Sequence, residues 1–112
     1  MLYFKPGAIF AKVHPKLLVG LIALAELFET QGIGELMITS GTDGVHMQGS
    51  FHGVGQAVDI RSKTIPPAKV ECVVRLFRAT NDADYDLLWE FRGLPNEHLH
   101  LEYDPKSAGN SV

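Results

Sequence analysis

The sequence predicts an α+β fold: a small, antiparallel-rich sheet of about four strands with two helices against one face. Three observations lead there. Apolar residues recur at helical spacing in two separate stretches, 15–30 and 64–80, each with proline in its first turn. Short stretches at 56–61 and 98–103 alternate apolar and polar residues, as strands with one buried face do. The loop between 91 and 98 is short enough to join the last two strands as an antiparallel hairpin.

Residues 1–13 read as an arm. Pro6-Gly7 marks a turn, and Leu2, Phe4, Ile9 and Phe10 can anchor the arm to the core. Over 15–30, Leu17, Leu18, Leu21, Ile22, Leu24, Ala25 and Phe28 form a wide stripe, expected of a helix packed deep against a sheet as core and nothing more. Gln31-Gly32 stops it, glycine being the residue that best tolerates a left-handed terminal position. Residues 36–39 are an apolar run bounded by glycines, expected near the middle of the sheet, and 40–49 are polar, glycine-rich loop. In the strand 56–61, Val58 and Ile60 point one way while Ala57, Asp59 and Arg61 point the other. The second helix, 64–80, buries Val70, Val73, Val74 and Phe77 and ends at Asn81-Asp82. Strands follow at 85–91 and 98–103. On the last, Leu99, Leu101 and Tyr103 face the core, gathering His98, His100 and Glu102 on the opposite side, before a polar tail from 104 to 112.

Composition limits what this scaffold does. The 112 residues suit one domain, 1–112, with a single hydrophobic core. An apolar share of 46%, a charged share of 21% and a scattered net charge of -3 favour neither nucleic acid nor a membrane surface as partner. The lone Cys72 excludes an internal disulfide. Residues 1–11 carry Lys5 but no long apolar run, so no secretory signal is expected. The longest apolar stretch, 17–25, is about half of the roughly 20 residues a membrane span needs.

Against this ordinary background, 50–59 and 97–100 stand out as carriers of chemistry. His52 and Asp59 are separated by Gly53 and Gly55, so the chain between them can turn tightly and bring a loop imidazole over the strand that holds the carboxylate. His100 arrives from the last strand. Two imidazoles and one carboxylate are good zinc ligands, and three protein ligands leave a coordination position open, as hydrolytic zinc sites require. Glu97 lies three residues before His100. Strict alternation places it on the opposite face, so the backbone must bend at 96–97 if its carboxylate is to reach a metal-activated water. His14, alone on its stretch, reads as a satisfied surface or core histidine.

The same residues resemble the zinc D-Ala-D-Ala peptidases, which include D-Ala-D-Ala carboxypeptidases and dipeptidases, phage L-alanyl-D-glutamate endolysins and, as a structural relative, the amino-terminal domain of hedgehog proteins. The pattern S-x-H-x-x-G-x-A-x-D is met by Ser50, His52, Gly55, Ala57 and Asp59; an acid three before the last histidine ligand, with a histidine two before it, is met by Glu97, His98 and His100. The resemblance covers about 17–103 and implies a hedgehog/DD-peptidase-like fold with the zinc site on the face away from the helices. It implies that His52, Asp59 and His100 bind Zn2+, that Glu97 is the general base, that His98 helps hold the oxyanion and that Ser50 supports the ligands from the substrate side. The implied activity is hydrolysis of a peptide bond in peptidoglycan stem peptides, of DD-carboxypeptidase or L-Ala-D-Glu endopeptidase type.

One departure matters. Many members carry S-G-x-R before the first ligand, the arginine gripping a substrate carboxylate; here the residues are Ser40-Gly41-Thr42-Asp43. An aspartate cannot replace that bidentate cation. Arg61 on the Asp59 face, or more weakly His46, could supply the charge, while Arg61 also reads as a surface ion-pair residue. The expectation is therefore a monomeric zinc peptidase acting on the cell wall, cytoplasmic until released to it or carried on a phage particle. The alternative is a zinc-stabilised binding or phage structural module that keeps the ligands and does no chemistry.

Overall fold

The computed structural model describes residues 2–6, 13–41 and 56–105. Its elements are β1 (Leu2–Phe4), α1 (Pro15–Thr30), β2 (Leu36–Ser40), β3 (Ala57–Arg61), α2 (Pro67–Thr80), β4 (Tyr85–Glu90) and β5 (His98–Tyr103). They form an α+β architecture in which a five-stranded sheet runs in the order β1-β2-β3-β5-β4. The sheet is mixed: β1 joins β2 in parallel, and every other pairing is antiparallel.

The arm expected at the N-terminus thus contributes a fifth strand. Three residues carry too little alternation to be read as a strand, and parallel partners are held by backbone hydrogen bonds that the sequence does not display. Lys5 N–H extends the pairing by donating to the Ile38 carbonyl at 2.8 Å.

Both helices lie on one face. Leu17, Leu21, Leu24 and Phe28 of α1 and Val70, Val73, Val74 and Phe77 of α2 are buried against Leu36, Ile38, Val58, Ile60, Leu87, Leu99 and Leu101 of the strands. Leu18 and Ile22 are exposed, so the buried stripe of α1 is narrower than the apolar pattern suggested. The cause is a helix packed on one side only, with Gly20 letting the Tyr85 ring come against its backbone. His14 caps α1, its Nδ1 accepting from the Lys16 N–H at 3.1 Å, with its ring against Tyr103. At the other end Gly32 takes φ 72°, and the Ile33 N–H returns to the Phe28 carbonyl.

The second helix starts at Pro67 rather than at 64. A residue before proline is disfavoured in the α region, and Pro66 accordingly sits at ψ 131°. The strand β4 likewise stops one residue short of 91, because Phe91 turns to φ 54°. The hairpin expected between the last two strands is present, with Glu90 paired to His98. No helix among the described residues is long and apolar enough to cross a membrane.

Candidate metal centre

The open face of the sheet follows from the register. Directly opposite residues of antiparallel strands share a face, so pairing Asp59 with His100 and Arg61 with His98 places all four side chains opposite the helices. From the other side β4 pairs Glu90 with His98, Leu88 with His100 and Asp86 with Glu102. The apolar faces of the same strands, Val58, Ile60, Leu87, Leu99 and Leu101, are sealed under the helices, which locks the polar faces outward.

Asp59 and His100 meet as their alternation requires. The Oδ1 of Asp59 lies 2.9 Å from Nδ1 of His100, and Oε1 of Glu102 lies 2.8 Å from the other ring nitrogen, Nε2. Burial of the ring pulls its pKa down, but hydrogen bonds to Asp59 and Glu102 and the charges of both carboxylates outweigh that and hold the imidazole above its ordinary value. Around this pair stand two more groups. His98 Nε2 is 3.0 Å from Glu90 Oε1 and 3.7 Å from Asp59 Oδ1, and Glu90 Oε1 is 3.9 Å from His100 Nδ1. The Asn96 carbonyl at 2.8 Å can only accept, so His98 Nδ1 carries a proton, and the ring is fixed with Nε2 toward the face. The Phe91 ring, 5.8 Å from the His98 ring, covers it on one side.

Asp59, Glu90 and His98 can hold a metal ion: a ligand atom from each lies within 4.8 Å of the others. The donors are carboxylates and imidazoles, and Glu102 Oε1 lies behind His100 against its far ring nitrogen, which fixes the orientation of that ring. The sequence pattern places Glu102 on the face of His98 and His100 without giving it a role, and Glu90 is not among the expected site residues. Glu102 shares its face with His100 two positions away, and Glu90 shares the face of Leu88 by the same alternation, so the period-two pattern carried a signal for both.

Glu97 is placed differently from Asp59 and His100, two of the residues it was expected to serve. Its Oε2 accepts from the Ser62 hydroxyl at 2.7 Å and from the Trp89 indole N–H at 3.0 Å, and its Oε1 accepts from the Gly93 backbone N–H at 3.0 Å. Ser62 is fully buried, and Trp89 packs against the core on the helix side. The bend that would turn Glu97 toward Asp59 and His100 is absent: the residue keeps the alternation of Leu99 and Leu101, and its carboxylate stays at the end of the core face. The Ser62 hydrogen bond, the Gly93 N–H, the Trp89 N–H and the Arg92 charge together hold its carboxyl below the usual range, against a smaller opposing effect of burial.

Of the other expected residues, Arg61 stands opposite His98 on the open face and makes no ion pair among the described residues. His46, Ser50 and His52, with the Thr42-Asp43 departure, lie outside the described residues. Comparison with family models, curated proteins and solved structures found no match to the chain.

Proposed function

We propose that this chain is a zinc-dependent peptidase acting on peptidoglycan stem peptides, with Asp59, His100 and the loop residue His52 as the metal ligands. The observation that carries the reading is the cross-strand contact of Asp59 with His100 Nδ1, with Glu102 on the far nitrogen. Asp59 and His100 come from the two separate motifs of the peptidase pattern, S-x-H-x-x-G-x-A-x-D and the closing E-H-L-H, 41 residues apart in the chain.

Zinc at this position would supply Lewis acidity toward the scissile carbonyl and make a water easier to deprotonate. The protein's own groups do the rest. Asp59 and His100 are held in place by paired strands rather than by a loop, so the centre costs little reorganisation when it is loaded. His98 presents Nε2 to the same space, and because Nδ1 already holds a proton toward the Asn96 carbonyl, it is the doubly protonated ring that can donate there and steady the oxygen that becomes negative as the carbonyl is attacked. A carboxylate takes a proton from the attacking water and returns it to the leaving amine nitrogen.

A second reading keeps the metal and omits the hydrolysis: a zinc-stabilised binding module. Two observations favour it, the aspartate at 43 in place of an arginine and the engagement of Glu97 in a hydrogen-bonded network of its own. Zinc content by elemental analysis and mass spectrometry of digested peptidoglycan separate the two. The peptidase reading expects about one zinc per chain and release of stem-peptide fragments, both lost in His100→Ala and Asp59→Ala. Zinc without fragments would leave the binding module, and absence of zinc from the wild-type protein would remove both.

A further inference from the structure

We propose that the hollow between α2 and β4 binds a small carboxylic acid with an apolar body, the carboxylate on Arg75 and Arg78 and the body on Val74 and Trp89. The site is independent of the metal centre and of the peptidase reading, because it lies on the other side of the sheet.

The hollow is lined by Glu71, Val74, Arg75, Arg78 and Trp89 and has a volume of 390 Å³. Ligand sites run from about 300 to 1,000 Å³, so this one suits a single small molecule. Trp89 is paired with the buried Leu99 across the hairpin, which places its side chain on the helix face, opposite His98 and His100. The indole is held there. Its N–H donates to Glu97 Oε2 at 3.0 Å, and the Arg92 guanidinium lies 4.0 Å over its ring, so the apolar wall it makes with Val74 is formed before any ligand arrives.

The lining carries an excess of positive charge, although the chain as a whole has a net charge of -3. Two arginines meet one acid, Glu71, and that acid is already paired with Arg92 at 2.6 Å. Among the described residues the Arg75 side chain has no ion pair or hydrogen bond. Arg78 donates from Nε at 3.2 Å and from Nη2 at 2.8 Å to the Leu87 carbonyl, which fixes its guanidinium and leaves Nη1 as a donor.

These two qualities together select the ligand. A planar carboxylate matches the fork of a guanidinium, and an apolar body removes the surface of Val74 and Trp89 from water. An inorganic anion would leave that apolar surface wet. A neutral apolar molecule would leave Arg75 without a partner.

Trp89 is the only tryptophan in the chain, so its emission reports on the hollow directly. The test titrates the protein with phenylacetate, with its neutral counterpart phenylacetamide and with acetate, which has the head and no body. Phenylacetate is expected to change the Trp89 emission saturably, with Kd of about 1 mM or tighter, while the other two give no saturable change. Arg75→Gln, an exposed substitution, should weaken phenylacetate at least tenfold, as loss of a charged hydrogen bond does, with the melting temperature unchanged. Treating the protein with a chelator should leave the titration as it was. The proposal is overturned by a flat response to phenylacetate, by an equal response to phenylacetamide or to acetate, by an Arg75→Gln protein that binds within threefold of wild type, or by binding that is lost with the chelator. None of these outcomes bears on whether the protein cuts peptidoglycan, so the two readings stand or fall separately.

Discussion

Replacing Glu97 by glutamine separates a structural carboxylate from a catalytic one, because the geometry ties a definite stability to its charge. The carboxylate accepts three hydrogen bonds, two on Oε2 and one on Oε1. Glutamine offers one oxygen and one NH2 group. With the oxygen toward Ser62 and Trp89, the NH2 faces the Gly93 N–H, donor against donor, so one bond is lost and two become neutral. A hydrogen bond to a charged group is worth about 1.5–3 kcal/mol and a neutral one about 1; at the low end of those values, fitting a half-buried side chain, one bond lost and two made neutral put the cost of Glu97→Gln at about 2.5 kcal/mol. For a chain of 112 residues that corresponds to a fall in Tm of about 10 °C.

The pH dependence follows from the sign of the shift. The folded-state carboxyl lies below its ordinary value, so its stabilising contribution is complete above the unfolded value of about 4.3 and is lost as pH falls through the folded value. Thermal unfolding by circular dichroism should therefore show the full gap between wild type and Glu97→Gln at pH 7 and a closing gap below about pH 4. Equal melting at pH 7, or a gap that persists unchanged into acid, would refute the network as described.

Two further outcomes test the scaffold and the centre. A methyl group at Gly20 would come within 2.5 Å of Tyr85 Cε1, and that ring is wedged by Tyr103 and Phe77 with its hydroxyl donating to the Lys16 carbonyl, so Gly20→Ala should cost more in overpacking, about 1–3 kcal/mol, than the roughly 1 kcal/mol of helix propensity it gains. Urea unfolding reads the balance, and a more stable Gly20→Ala would show that the ring can yield. With His100 as a zinc ligand, as proposed, removing the carboxylate behind it in Glu102→Ala should weaken zinc about 10–100-fold in competition with a chelator, since the Nε2 proton loses its acceptor; equal affinity would show that Glu102 does not orient the ring.

The parts of the molecule that were legible in the sequence are those set by local periodicity. The stripe of Val70, Val73, Val74 and Phe77 is buried as its spacing required, and the alternation around Asp59 and around His100 put each on a polar face before any pairing was known. What periodicity leaves open is which strands lie side by side. The parallel pairing of Leu2–Phe4 depends on backbone groups that every sequence has, and so left no pattern to read.

The contrast between Glu97 and Glu90 has the same origin. Proximity along the chain made Glu97 the obvious neighbour of His100, yet a residue three positions away on a strand belongs to the other face unless the backbone bends. Here Ser62, Trp89 and Gly93, from three other places in the chain, supply the hydrogen bonds that keep it there. Glu90 is ten residues from His100 in sequence and one strand away in space, because the seven-residue turn from 91 to 97 returns the chain with Glu90 opposite His98. A polar residue on a strand is thus placed by its parity and its hairpin register together, and on this sheet both put Glu90, with Asp59, on the side that faces outward.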